Sequence, residues 1–105
     1  MARENAQKVI GLLGLALRAG KLALGFSAVE KLVRRGEKPL VIVATDVGAA
    51  SRGKIENWSP VRGLLDDVLT GDEMAQAFGR NKLSVVGLKD PGFVKGIEKL
   101  EADAS

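Results

Sequence analysis

Apolar positions recur at helical spacing in some stretches of the chain and gather into unbroken runs in others. Within residues 4–19, Val9, Ile10, Leu13, Ala16 and Leu17 fall on one helical face, and Gly20 offers a left-handed stop. Residues 21–24 read as a short extended piece. A second helix is predicted over residues 27–35, with Val29, Leu32 and Val33 on one side and Gly36 ending it. After Pro39 the run Leu40-Val41-Ile42-Val43-Ala44 has the continuous β-branched character of a strand covered on both faces.

Thr45-Asp46 ends that strand and is expected to cap a third helix over residues 47–58, closed by Ser59-Pro60. Residues 64–69 form a weaker strand candidate interrupted by Asp66 and Asp67. Thr70-Gly71-Asp72-Glu73 has the spacing of a capping box and opens a helix that Gly79 should end. Residues 80–82 read as a loop and 83–88 as a strand. Asp90-Pro91 supplies an N-cap and a first-turn proline for a last helix to about residue 102, and residues 101–105 read as a frayed tail. Such alternation predicts an α/β fold: a mostly parallel or mixed sheet with helices on both faces, a three-layer α/β/α sandwich.

Composition narrows the chemistry more than the fold. With 105 residues, 46% of them hydrophobic, the chain makes one domain with a real core. Its net charge of +3 is a mild basic surplus that suits a nucleic-acid partner without demanding one. Cysteine, histidine and tyrosine are all absent. Disulfides and thiolate metal sites are thereby excluded, and the commonest acid/base and metal-ligating side chain is missing. We therefore expect no catalytic residues, no metal and no cofactor. An intracellular, cytoplasmic protein is the simpler expectation. The apolar run 9–17, broken by Gly11 and Gly14, is too short to span a bilayer, so no membrane partner is expected.

Three constellations invite a chemical reading. Gly48-Ala49-Ala50-Ser51-Arg52-Gly53-Lys54 fits a phosphate-binding loop, but Ile55 stands where a magnesium-ligating hydroxyl is needed. A helix with small residues and exposed Arg52 and Lys54 explains it better. Asp66 and Asp67, adjacent on a strand, would point to opposite faces and not converge on one ion. Trp58 can stack on a base, although a tryptophan before Ser-Pro more often serves as a core lid.

The basic residues are more suggestive. Lys21, Lys31, Arg34, Arg35 and Lys38 lie around the second helix, and Arg80 and Lys82 lie in the loop before the last strand. Gly25-Phe26-Ser27 forms a glycine-led turn whose amides can face a phosphate, with Lys31 one turn further in. A solvated charged helix would have the same composition. Phosphate contacts are expected from Lys21, Lys31, Arg34 and Arg80, and contact with an unstacked base from Asn81, Lys82 and Leu83.

The stretch from Leu12 through Gly14-Leu15-Ala16-Leu17-Arg18-Ala19-Gly20-Lys21-Leu22, with Gly25, Val29-Glu30-Lys31 and Arg35-Gly36, resembles the bacterial branch of the ribosomal protein L7Ae/L30e superfamily of kink-turn RNA-binding proteins. Leu40 to Asp46 is similar to its central strand, Glu73 to Arg80 to its fourth helix and following loop, and Val85 to Leu88 with Gly92-Phe93 to its last strand and helix start. The resemblance spans about residues 9–100.

It implies a four-stranded mixed sheet in the sandwich, and a non-catalytic module for structured RNA, kink-turn-like or ribosomal. Carried over by position, the RNA-binding residues are Gly25, Ser27, Ala28 and Lys31, then Arg80, Asn81, Lys82 and Leu83. Archaeal-type relatives carry Asn-Glu, which read guanine edges, where this chain has Ser27-Ala28. Ala28 accepts no hydrogen bond and Ser27 offers one hydroxyl; lost base contacts of this kind cost ~1–3 kcal/mol each. The alternative is a protein-interaction module that kept the fold and lost RNA binding. In some bacteria such a domain follows a small basic YlxR-like domain in one longer chain. The start close to the first helix suits an excised C-terminal domain as well as a separate protein.

Overall fold

A computed structural model describes residues 3–104. The elements are a 3₁₀ turn (Arg3–Asn5), α1 (Ala6–Arg18), β1 (Leu22–Leu24), α2 (Phe26–Arg34), β2 (Leu40–Val43), α3 (Ala49–Glu56), β3 (Gly63–Leu65), α4 (Gly71–Phe78), β4 (Val85–Leu88) and α5 (Pro91–Ala104). The four strands form one mixed sheet in the order β1-β4-β2-β3. β4 runs antiparallel to both β1 and β2, and β2 runs parallel to β3. Helices cover both faces, so the expected α/β/α sandwich is the observed one.

The period-two pleat sorts side chains between two cores. Leu22, Leu40, Ile42, Val86 and Leu88 face the larger one, where α1, α4 and α5 add Val9, Leu13, Met74, Phe78, Val94 and Ile97. Val41, Val43 and Val85 face the smaller one with Val29 of α2 and Ile55 of α3, flanked by Ala23, Phe26, Trp58 and Val61. Gly87 also belongs to the smaller face. A Cβ there would lie 3.1 and 3.2 Å from the two methyls of Val29, so glycine lets α2 settle onto β4.

Local signals act as the sequence suggests at α4 and α5. The Glu73 amide donates to the Thr70 hydroxyl (3.1 Å) while the Glu73 carboxylate accepts from the Thr70 amide (2.8 Å). Gly79 ends that helix at φ 70°, ψ 36°. Asp90 accepts from the Phe93 amide at the start of α5. The tail expected to fray is helical to Ala104, and Ser105 lies outside the described residues.

Two expectations need correction. The third helix begins at Ala49, not Val47, because the Asp46 carboxylate accepts from the Gly71 amide (2.9 Å) instead of capping α3, whose N-cap is Gly48. The strand expected over 64–69 covers only Gly63–Leu65. Beyond it Asp66 turns to bond Arg52, while Val68 and Leu69 fill the larger core from a bend.

Candidate functional site

β1, β2 and β3 all finish at the end of the sheet where β4 begins, so the segments that follow or precede them meet there. Gly25 turns the chain from β1 into α2 at φ 92°, a conformation that side-chain-bearing residues rarely adopt. Its amide donates to the Val85 carbonyl (2.9 Å). That bond fastens the start of α2 beside the loop that enters β4. No side chain caps α2, so its first-turn amides are left for solvent or a ligand, at the positive end of the helix dipole.

Ser27 is exposed and Lys31 stands one turn above it, also exposed. Ala28 is half-buried. Phe26 is largely spent on packing: its ring lies 4.9 Å from that of Trp58 at an interplanar angle of 52°. Trp58 is therefore a lid on the smaller core. Across from α2, Arg80, Asn81 and Lys82 are exposed, with the loop held by bonds from Arg80 N–H to the Ala75 carbonyl and from Ala44 N–H to the Ser84 carbonyl.

Three of the expected contacts are not brought to this site. Leu83 is 5% exposed and packs in the larger core, so its side chain is not available to an unstacked base. Lys21 stands at the other end of β1, about 13 Å away at ~3.3 Å per residue, because the strand carries it there. Arg34 sits in the last turn of α2, seven residues and roughly 10 Å beyond Ser27 at ~1.5 Å per residue, and pairs with Glu30 at 3.5 Å.

The sequence reading missed a cleft of about 320 Å³ beside the loop, lined in part by Asp46, Gly48, Ser51, Gly71, Asn81 and Lys82. Its walls come from three separate turns, joined by the Asp46–Gly71 bond and by backbone bonds from Thr45 N–H to the Leu69 carbonyl (2.8 Å) and from Ala44 N–H to the Ser84 carbonyl (2.8 Å). Of its lining carboxylates, Asp46 accepts from the Gly71 amide and Asp72 is exposed; other carboxylates in the same part of the chain are paired within the protein. Asp66 bonds Arg52 and raises that guanidinium above its ordinary value, with Glu56 adding a contact at 3.4 Å. Glu73 meets Arg3 at 2.6 Å; that bond, with the Thr70 amide, lowers the Glu73 carboxyl from 4.5 to about 2.

Among the described residues no polar or charged residue is buried, and no cluster of three or more acidic, cysteine or histidine side chains could hold a metal. No described helix is long and apolar enough to cross a membrane. The phosphate-loop reading of Gly48–Lys54 finds no loop: Gly53 and Lys54 lie inside α3, and Ile55 is buried.

Comparison with known proteins gives this arrangement a lineage. Residues 7–59 match the model of the ribosomal protein L7Ae/L30e/S12e/Gadd45 family. The chain is 31% identical to the RNA-binding protein YlxQ of Enterococcus faecium, over 95% of this chain and 97% of that protein. It is 24% identical to the large ribosomal subunit protein eL30 of Dictyostelium discoideum, over 97% of this chain and 94% of that one. A solved structure of a Bacillus halodurans C protein with unknown function superposes with a TM-score of 0.76 at 32% identity, covering 89% of this chain and 95% of that chain. The first two of these relatives are named as an RNA-binding protein and a ribosomal protein. The fold, the matched segment and the full-length relatives agree: this chain belongs to the ribosomal protein L7Ae/L30e/S12e/Gadd45 family.

Proposed function

We propose that this protein is a non-catalytic module that binds structured RNA through the N-terminus of α2 and the loop before β4. The observation that carries the reading is the Gly25–Val85 bond, which sets an uncapped helix start beside an exposed Arg80-Asn81-Lys82 segment. Amides and the Ser27 hydroxyl suit phosphate oxygens, Lys31 adds charge one turn in, and Asn81 can hydrogen-bond an unstacked base. The names of the Enterococcus and Dictyostelium relatives support an RNA partner, ribosomal or otherwise structured. The organism of the first favours a bacterial protein; a cytoplasmic home, expected from the composition, and a basic YlxR-like neighbour, implied by the sequence resemblance, belong to the same reading.

Ser27-Ala28 supplies one hydroxyl for base reading, so grip on the backbone outweighs sequence choice. Titration of labelled kink-turn and ribosomal hairpins should give a log–log salt slope of about −0.7 to −0.9 per neutralised phosphate. Lys31→Ala should weaken binding and reduce that slope by about one contact. Binding that ignores both salt and Lys31 overturns the reading. Ala28, which offers no base acceptor, favours a protein-interaction module as the second reading; partners that survive nuclease treatment in a pull-down would support it.

A further inference from the structure

We infer that the opposite end of the sheet is a second surface, built to hold a nucleic-acid sugar–phosphate backbone independently of the α2 site. The strand registers place basic residues along this end in spatial order. Lys21 precedes β1, and its carbonyl accepts from the Lys89 amide (3.2 Å), just beyond β4. Leu40 pairs with Leu88, so Lys38-Pro39 comes next, and the Arg62 amide donates to the Pro39 carbonyl (3.0 Å). Every strand of the sheet thus contributes a cation here: Lys21, Lys89, Lys38, Arg62. With strands ~4.8 Å apart the row is about 14 Å long, on the scale of a few consecutive backbone phosphates of one strand.

The charges are not equally available. Arg62 is held in a two-bond pair with Glu98 at 3.0 and 3.1 Å. Arg35 contacts Glu37 at 3.9 Å, and Arg18 and Arg34 sit in the last turns of α1 and α2, where they offset the negative helix ends. Lys21, Lys38 and Lys89 are exposed and have no ion-pair partner among the described residues. Lys38, Arg62 and Lys89 line a cleft of about 540 Å³ with Glu37, Pro91, Val94 and Glu98.

Lys38 adds an independent sign. It is the one described non-glycine residue with positive φ, at 49°, and it precedes a proline, which restricts it further. Glycine would hold that turn with less strain. A lysine kept there points to its ammonium group. Lysines are point charges on long stems, suited to a phosphate chain, and the cleft has no aromatic or large apolar anchor of the kind that protein interfaces are built around.

The test uses a plain mixed-sequence RNA duplex of about two helical turns, without internal loops, titrated by anisotropy over a salt series. Lys21→Gln/Lys38→Gly/Lys89→Gln should reduce the log–log slope by about two to three units while Lys31→Ala leaves most of it. Lys38→Gly alone should keep or raise the melting temperature and still weaken binding, which separates affinity from folding. An unchanged slope in the triple variant overturns the inference, as does loss of all duplex binding on Lys31→Ala. Polyglutamate that competes as well as RNA also overturns it, and assigns the row to an acidic protein. Failure here leaves kink-turn hairpin binding through α2 intact, so the two readings fall separately.

Discussion

The two faces of the sheet are built differently. The larger core is filled by leucines, Ile42, Ile97, Met74 and Phe78 from the sheet and three helices, and the smaller one by valines and Ile55, with Gly87 bare under α2. Large γ-branched and flexible side chains interdigitate across a thick layer; valines give a shallow bed on which a helix lies close to the strands. Most of the apolar burial is therefore on the α1, α4 and α5 side. Of the two segments assigned to ligand binding, α2 lies on the other side, where it buries Val29, Leu32 and Val33, while the 80–82 loop leaves α4 on the thick side. The lesson is that a site can be assembled at the end of the sheet where the thin face and the thick face meet.

The sharpest way to break that comparison is to perturb each face in turn, hollowing the thick one and overpacking the thin one. Leu13, fully buried on the thick side, should cost ~2–5 kcal/mol on Leu13→Ala, read from urea unfolding. Gly87→Ala puts a methyl against Val29 on the thin side and should cost ~1–3 kcal/mol, with a measurable change in affinity for the kink-turn hairpin as α2 shifts. If the glycine change proves the costlier, the thin face is the structural one and the contrast fails.

A smaller effect sharpens the picture at the edge of the thick face, where Arg3 spans from the Val68 carbonyl (2.8 Å) to Glu73. The Glu73 carboxyl is held at about 2, below its ordinary 4.5, so the unfolded chain takes up its proton first. Its stabilisation should be complete above pH 4.5 and be lost as pH falls towards 2. The difference in melting temperature between wild type and Glu73→Gln should shrink across that window; a constant difference would remove Glu73 as the cause.

Elements whose cause is local were legible in the residues themselves. The Thr70–Glu73 capping box, the Gly79 stop, the Asp90 cap and the β2 run all depend on neighbours within a few positions. Errors arose where a distant partner intervened. Asp46 is drawn to Gly71, which delays α3, and Asp66 is drawn to Arg52, which ends β3 early. For the same reason the candidate site was half legible. Gly25, Ser27 and Lys31 share one turn of helix, and the 80–82 segment is a loop by composition. Their meeting depends on Gly25 reaching Val85, sixty residues later, and no local pattern records that. Proximity in sequence also grouped Lys21 and Arg34 with the turn, although a strand and a helix carry them to the far end.

Gly87 has a mechanical consequence. α2 is pinned at one end by the Gly25 amide on Val85 and rests midway on the bare backbone of Gly87, so it works as a lever with a fixed pivot. A methyl pushed in beneath Val29 lifts the far arm more than the pinned one. Side chains along the helix would move in proportion to their distance from the pivot, Ser27 least, Lys31 more and Arg34 most. The volume of one hidden residue thereby sets the angle at which the whole helix is presented.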